Sequence, residues 1–122
     1  MTAVLRALRG ATTLDEDTPA QVHERTTALV SALLEQNGLV ADDLVSVMFT
    51  VTDDIHAAFP ATAARSLGLD EVPLIGAVEM SVPGALARCI RVLVHCYSER
   101  ARSELRHVYL EGATVLRRDL VG

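Results

Sequence analysis

One segment of the chain, residues 18–38, has the pattern of a long amphipathic helix, and nearly everything else reads as short strands and turns. Thr18-Pro19-Ala20-Gln21 has the form of a capping box with proline at the first helical position. Val22, Thr26, Leu29, Val30, Leu33 and Leu34 then keep to one face until Asn37-Gly38 stops it. The acidic cluster Asp15, Glu16 and Asp17 just before it suits the positive end of a helix. Strands are expected at Val4 to Leu8, with Arg9-Gly10-Ala11-Thr12-Thr13 as a following loop, at Leu44 to Val51, and at Val72 to Val78. A long central strand is expected at Arg88 to Tyr97, and short terminal ones at His107 to Leu110 and Ala113 to Leu116. Pro60 opens a short helix through Leu67 that Gly68 closes, and Ala85 to Ala87 has room for one helical turn. The class is therefore α/β to α+β: a mixed β-sheet with flanking helices. One long helix covers one sheet face, so the other face is left apolar, which argues for oligomerisation.

At 122 residues the chain is expected to form one domain, residues 1–122, with a loose tail at about 117–122. Its net charge of −5 and dispersed cations give no footprint for nucleic acid or an anionic membrane. The N-terminus lacks a signal peptide's pattern and no stretch reaches the roughly 20 apolar residues that span a bilayer, so a cytoplasmic location is expected. Cys89 and Cys96, on one strand, would lie roughly 23 Å apart and read as two small buried thiols. All eleven cationic side chains are arginine. That excludes a Schiff-base lysine and a Walker lysine. Arginine's planar fork suits carboxylates, but GC-rich codon usage produces the same bias.

The four histidines, His23, His56, His95 and His107, show no metal-ligand spacing, and no CxxC pair, GxSxG elbow or glycine-rich phosphate loop occurs. Asp53-Asp54 is adjacent on an extended chain, where side chains point apart, so a turn or capping role is expected. The informative residues are polar ones inside expected strands. Arg91 interrupts the most apolar strand, with Ile90, Val92, Val94 and Cys96 on one face and Arg91, Leu93, His95 and Tyr97 on the other. A guanidinium buried there must be paired, and Glu79, at the end of Leu74-Ile75-Gly76-Ala77-Val78, is a partner. Composition leaves two readings open: an internal salt bridge, or an arginine-lined anion pocket that also involves Tyr109, Arg9 and Arg65.

Arg6-Ala7-Leu8-Arg9-Gly10-Ala11-Thr12-Thr13, Asp54-Ile55-His56-Ala57-Ala58-Phe59-Pro60-Ala61, Arg65, Val78-Glu79-Met80, Cys89-Ile90-Arg91-Val92, Arg106-His107-Val108-Tyr109-Leu110-Glu111 and Val115-Leu116-Arg117 occur in this order over almost the whole chain. Together they resemble the monofunctional chorismate mutases of the Bacillus type. The resemblance implies a chorismate-mutase-like homotrimer, a pseudo α/β-barrel with active sites in clefts between subunits. It implies the Claisen rearrangement of chorismate to prephenate in phenylalanine and tyrosine biosynthesis, with no metal, cofactor or covalent intermediate. By position, Arg91 would meet the ether oxygen, Glu79 the ring hydroxyl, and Arg9 and Tyr109 the carboxylate of the enolpyruvyl arm. Phe59, Ala61, Leu74, Ile75 and Leu116 would form apolar walls, Gly76 would offer a backbone amide, and Arg65 and Arg117 would lie at the mouth. Thr62 and Gly76 depart from the lysine and cysteine of the family's type member. A non-catalytic trimer that senses a related dicarboxylate would need the cations but has little use for Glu79. An enzyme for a relative such as isochorismate would use a similar pocket.

Overall fold

The computed structural model describes residues 2–116. Strand β1 (Val4–Thr13) leads to helix α1 (Pro19–Gln36), then to β2 (Leu44–Val51), a short helix α2 (Pro60–Ala64), β3 (Leu74–Val78), β4 (Cys89–Ser98) and the two-residue β5 (Val108–Tyr109). The strands form one mixed sheet in the order β3-β2-β4-β1-β5. β4 is antiparallel to both β1 and β2, whereas β2–β3 and β1–β5 run parallel.

α1 forms where its pattern places it. Thr18 is extended and its Oγ1 accepts from the Gln21 amide at 3.2 Å, with Pro19 following. The expected box does not close: Gln21 Oε1 accepts from the amides of Asp15 and Glu16 instead, bracing the loop that enters the helix. Two members of the acidic cluster also brace the surrounding loops. Asp15 pairs with Arg25 at 2.8 Å, and Asp17 accepts from the amides of His56 and Ala57 at 2.8 and 3.1 Å. Val22, Thr26, Leu29, Val30 and Leu33 are buried. They belong to the core with Leu8, Val47, Phe49, Ile90, Val92, Val94 and Cys96, the alternate residues of the three central strands. The close approach depends on Gly10, where a Cβ would stand 3.0 Å from the Leu29 and Leu33 methyls and 3.1 Å from the Val108 carbonyl. At the far end Asn37 is buried. Its Nδ2 donates to the carbonyls of Leu33 and Arg106, and its Oδ1 accepts from the Arg106 amide at 2.8 Å, which fixes the approach to β5.

Five expectations are corrected. Arg9–Thr13 is strand, because β4 pairs with it to the end, Thr13 opposite Cys89. Ala113–Leu116 is not strand: Glu111–Val115 forms a 3-10 turn, entered by Glu111 at φ +53° and held by the Gly112 amide donating to Thr13 Oγ1 at 3.0 Å. The helix opened by Pro60 keeps α geometry only to Ala64 and then widens into a π-type turn over Arg65–Leu69, with Gly68 at φ +86°. Ala85–Ala87 takes no helical turn, and β3 begins at Leu74 because the Val72 amide is held by the Leu69 carbonyl.

Candidate active site

Among the described residues no α-helix lies over the second sheet face, and its residues fall in rows set by the strand register. One row runs Ala77, Thr50, Arg91, Ala11, Tyr109 across all five strands, and the next runs Ile75, Met48, Leu93, Arg9. A small second core, Ala11, Cys89 and Ala113 with Leu86, Tyr109 and Leu116 against it, closes one end of this face. Beside it opens a cavity of about 300 Å³ lined by Arg9, Met48, Thr50, Arg91 and Tyr109 among others.

Glu79 continues the phase of Ile75 and Ala77 one step beyond β3, and its amide donates to the Val51 carbonyl at 2.9 Å. Its Oε2 lies 3.1 Å from Arg91 Nε and also accepts from Thr50 Oγ1 at 2.7 Å. The two readings left open for Arg91 thus meet in one residue: Arg91 lines the cavity and is paired with Glu79 beside it. The expectation of a buried guanidinium is corrected, because the Arg91 side chain is 45% exposed and that of Glu79 19%. Arg91 sits on the uncovered phase of β4, so an apolar neighbour sequence did not mean an interior position. Attachment through Nε leaves the terminal guanidinium nitrogens without another carboxylate among the described residues. Arg9 brings a second cation to the cavity, and its backbone amide donates to His107 Nδ1 at 3.0 Å where β5 has not yet begun. Burial pushes the Cys89 thiol up to about 11 against the pull of the neighbouring Arg91 charge, so in the adjoining cluster it is a neutral thiol.

The cavity therefore brings together Arg9, Arg91 and Tyr109, with Glu79 bound to Arg91 and Leu116 packed in the adjoining cluster. It does not collect Phe59, Ala61, Arg65, Leu74, Ile75 or Gly76. These lie at the start of and along α2, on its widened turn and on β3, with Phe59 78% exposed and Ile75 61%. Gly76 takes the opposite phase from Ile75, and a Cβ there would meet nothing nearer than the Phe49 carbonyl at 3.9 Å, so the fold does not require glycine. Arg117 lies outside the described residues. Sequence reasoning missed Thr50, although the signal that exposed Arg91, a polar residue inside an apolar strand, applies to it equally. Asp54 is a turn carboxylate as expected, accepting from Thr52 Oγ1 and the Arg88 amide. No three metal-ligating side chains converge among the described residues, and no helix there is long and apolar enough to cross a membrane.

A chain of this shape has known counterparts. A solved chorismate mutase from Clostridium thermocellum superposes with a TM-score of 0.89 at 44% identity, covering 90% of this chain and 98% of that one. Chorismate mutase AroH of Thermus thermophilus is 47% identical over 96% of this chain and 97% of its own length. For Chorismate mutase AroH of Bacillus subtilis the identity is 40%, over 96% and 93%. The family profile described as Chorismate mutase type I matches residues 5–120. With the mixed sheet and its uncovered arginine-lined face, these matches show that the chain belongs to the chorismate mutase type I family.

Proposed function

We propose that this chain rearranges chorismate to prephenate by holding the substrate in its compact conformer and stabilising charge as the ether bond breaks. The observation that carries the reading is a cavity lined by Arg9, Arg91 and Tyr109 whose Arg91 is paired with Glu79. As the C–O bond lengthens and the C–C bond forms, negative charge gathers on the ether oxygen and the ring becomes positively polarised. Arg91 donates to that oxygen from the nitrogens its salt bridge leaves free. Glu79 accepts from the ring hydroxyl and faces the positive ring. Arg9 and Tyr109 hold the carboxylate of the enolpyruvyl arm so that the two reacting carbons meet.

An enzyme at the modest end of the usual range lowers its barrier by about 8 kcal/mol. One preorganised donor to developing charge contributes about 3–4 of these, and conformer restriction can contribute the rest. Arg91 therefore supplies close to half of the barrier reduction, the rest coming from the groups that hold the conformer.

Three chains share the work in this reading. Phe59, Ala61, Arg65, Leu74 and Ile75 stand away from the cavity within one chain, and a neighbouring subunit's copy of them completes its walls; Gly76 adds a backbone amide. Leu116, packed beside Tyr109, adds to the apolar wall. The apolar residues of the uncovered face supply the contact. The protein works in the cytoplasm as a step of aromatic amino acid biosynthesis, acting as a single domain on a small molecule.

The test is incubation with chorismate, following the loss of its absorbance and the appearance of prephenate. Turnover supports the reading. Binding of chorismate without turnover overturns it in favour of a sensor.

A further inference from the structure

We infer that Thr50 is a positioning residue of this site, acting through Glu79 on Arg91; the inference rests on the mutase reading and extends it to a residue outside the arginine–glutamate set. Thr50 sits between the two residues that it links. In the sheet register it stands opposite Arg91 on β4 and opposite Ala77 on β3, two residues short of Glu79. Its hydroxyl donates to Glu79 Oε2 at 2.7 Å, the oxygen that also meets Arg91 Nε at 3.1 Å. A hydroxyl bonded to a carboxylate is among the stronger hydrogen bonds a neutral side chain makes.

The contact matters because of what it prevents. Glu79 lies beyond the last residue of β3 and its side chain turns about three bonds, so the ion pair alone does not fix its rotamer. Free of Thr50, the carboxylate can swing toward solvent or slide along the guanidinium into a two-pronged pair with the terminal nitrogens. Either movement spoils the site, the second by occupying the donors that the present ion pair leaves free. Thr50 is suited to the task because a β-branched side chain in a strand has few rotamers, so the backbone sets where its hydroxyl points. With Oε2 held by both neighbours, no described group donates to Oε1, which is left to accept from a ligand hydroxyl.

Thr50→Val keeps the shape and the strand preference of the residue and deletes the hydroxyl. We expect turnover to fall about tenfold, with KM changing less than about threefold, from the loss of one hydrogen bond to a charged group. Thr50→Ser should restore most of that turnover. In a Glu79→Gln background the same Thr50→Val change should have little further effect, because its route is through that carboxylate. The Arg91 Nε–H resonance, observed by ¹⁵N-resolved NMR of the full-length protein, should move toward that of a free arginine in Thr50→Val and stay in place in Thr50→Ser. Wild-type turnover in Thr50→Val, or an equal loss with and without the Glu79 carboxylate, overturns the inference. Should the wild-type protein fail to convert chorismate, the mutase reading falls, while the unmoved or shifted Arg91 resonance still decides whether Thr50 holds the pair.

Discussion

Arg91 shows how a single residue can be located from sequence while its surroundings are misjudged. Its place in an alternating apolar strand gave the phase correctly: Ile90, Val92 and Val94 are buried on the helix side, and Arg91 takes the other face. What alternation cannot give is whether that other face is covered, and among the described residues no α-helix lies over it. Glu79 was legible as a partner because it is the acid that directly follows the apolar run Leu74–Val78, although β2 separates β3 from β4 in the sheet. Thr50 was not singled out, since its importance comes from β2–β4 register, which depends on long-range pairing and on the irregularity between Leu44 and Ser46. The expected role of Arg91 has a direct check. Arg91→Ala should lower turnover by about 10²–10³-fold, the usual cost of removing one preorganised donor. Thermal unfolding should be little affected, because a half-exposed ion pair adds little to stability. Near-normal turnover in the variant would show that another group meets the developing charge.

Among the elements, α1 was the most legible because its period, cap and stop signals agree. The segment Arg9–Thr13 was misread as a loop because glycine and polar residues dominate it. In the fold Gly10 makes space for α1, while Thr13 Oγ1 receives the Gly112 amide. The start of β4 depends on another local device that sequence only hinted at. Arg88 is at φ +45°, an unusual value for a side-chain-bearing residue, and its amide donates to both carboxylate oxygens of Asp54 at 3.1 and 2.9 Å. Burial pushes the Asp54 carboxyl upward, but the Thr52 hydroxyl, the Arg88 amide and the Arg88 charge together outweigh it and hold it below its usual range. A carboxylate whose folded pKa is depressed contributes stability above its unfolded pKa and loses it as pH falls through the folded value. Asp54→Asn should therefore cost about 1–2 kcal/mol at neutral pH, the scale of a hydrogen bond to a charged group. Its melting temperature should approach that of the wild type as the pH is taken below the usual carboxylate range. A gap that stays constant from neutral to strongly acid pH would show that charge on Asp54 does not brace the turn.

At the scale of the molecule, the count of helices was more informative than any motif, because one long helix can cover one face of a five-stranded sheet and no more. The face left over carries Leu5 and Tyr97, paired across β1 and β4 and each more than half exposed, with Met48 and Ile75 further along. An apolar surface of this kind on a small protein is normally an interface, and closed symmetry is the usual way to cover it. The division of the expected site residues between the Arg91 cavity and the β3–α2 edge fits the same arrangement, since a cleft between copies joins sets that one chain keeps apart. We expect the wild-type protein to sediment as three chains. Leu5→Glu puts a charge on this face away from the cavity, so it should dissociate the assembly, because burying an unpaired carboxylate in an apolar contact costs several kcal/mol per subunit. If the cleft is shared, turnover of chorismate should disappear with the trimer and return at protein concentrations high enough to restore it. A dissociated variant that keeps full turnover per chain would show that each chain closes its own site.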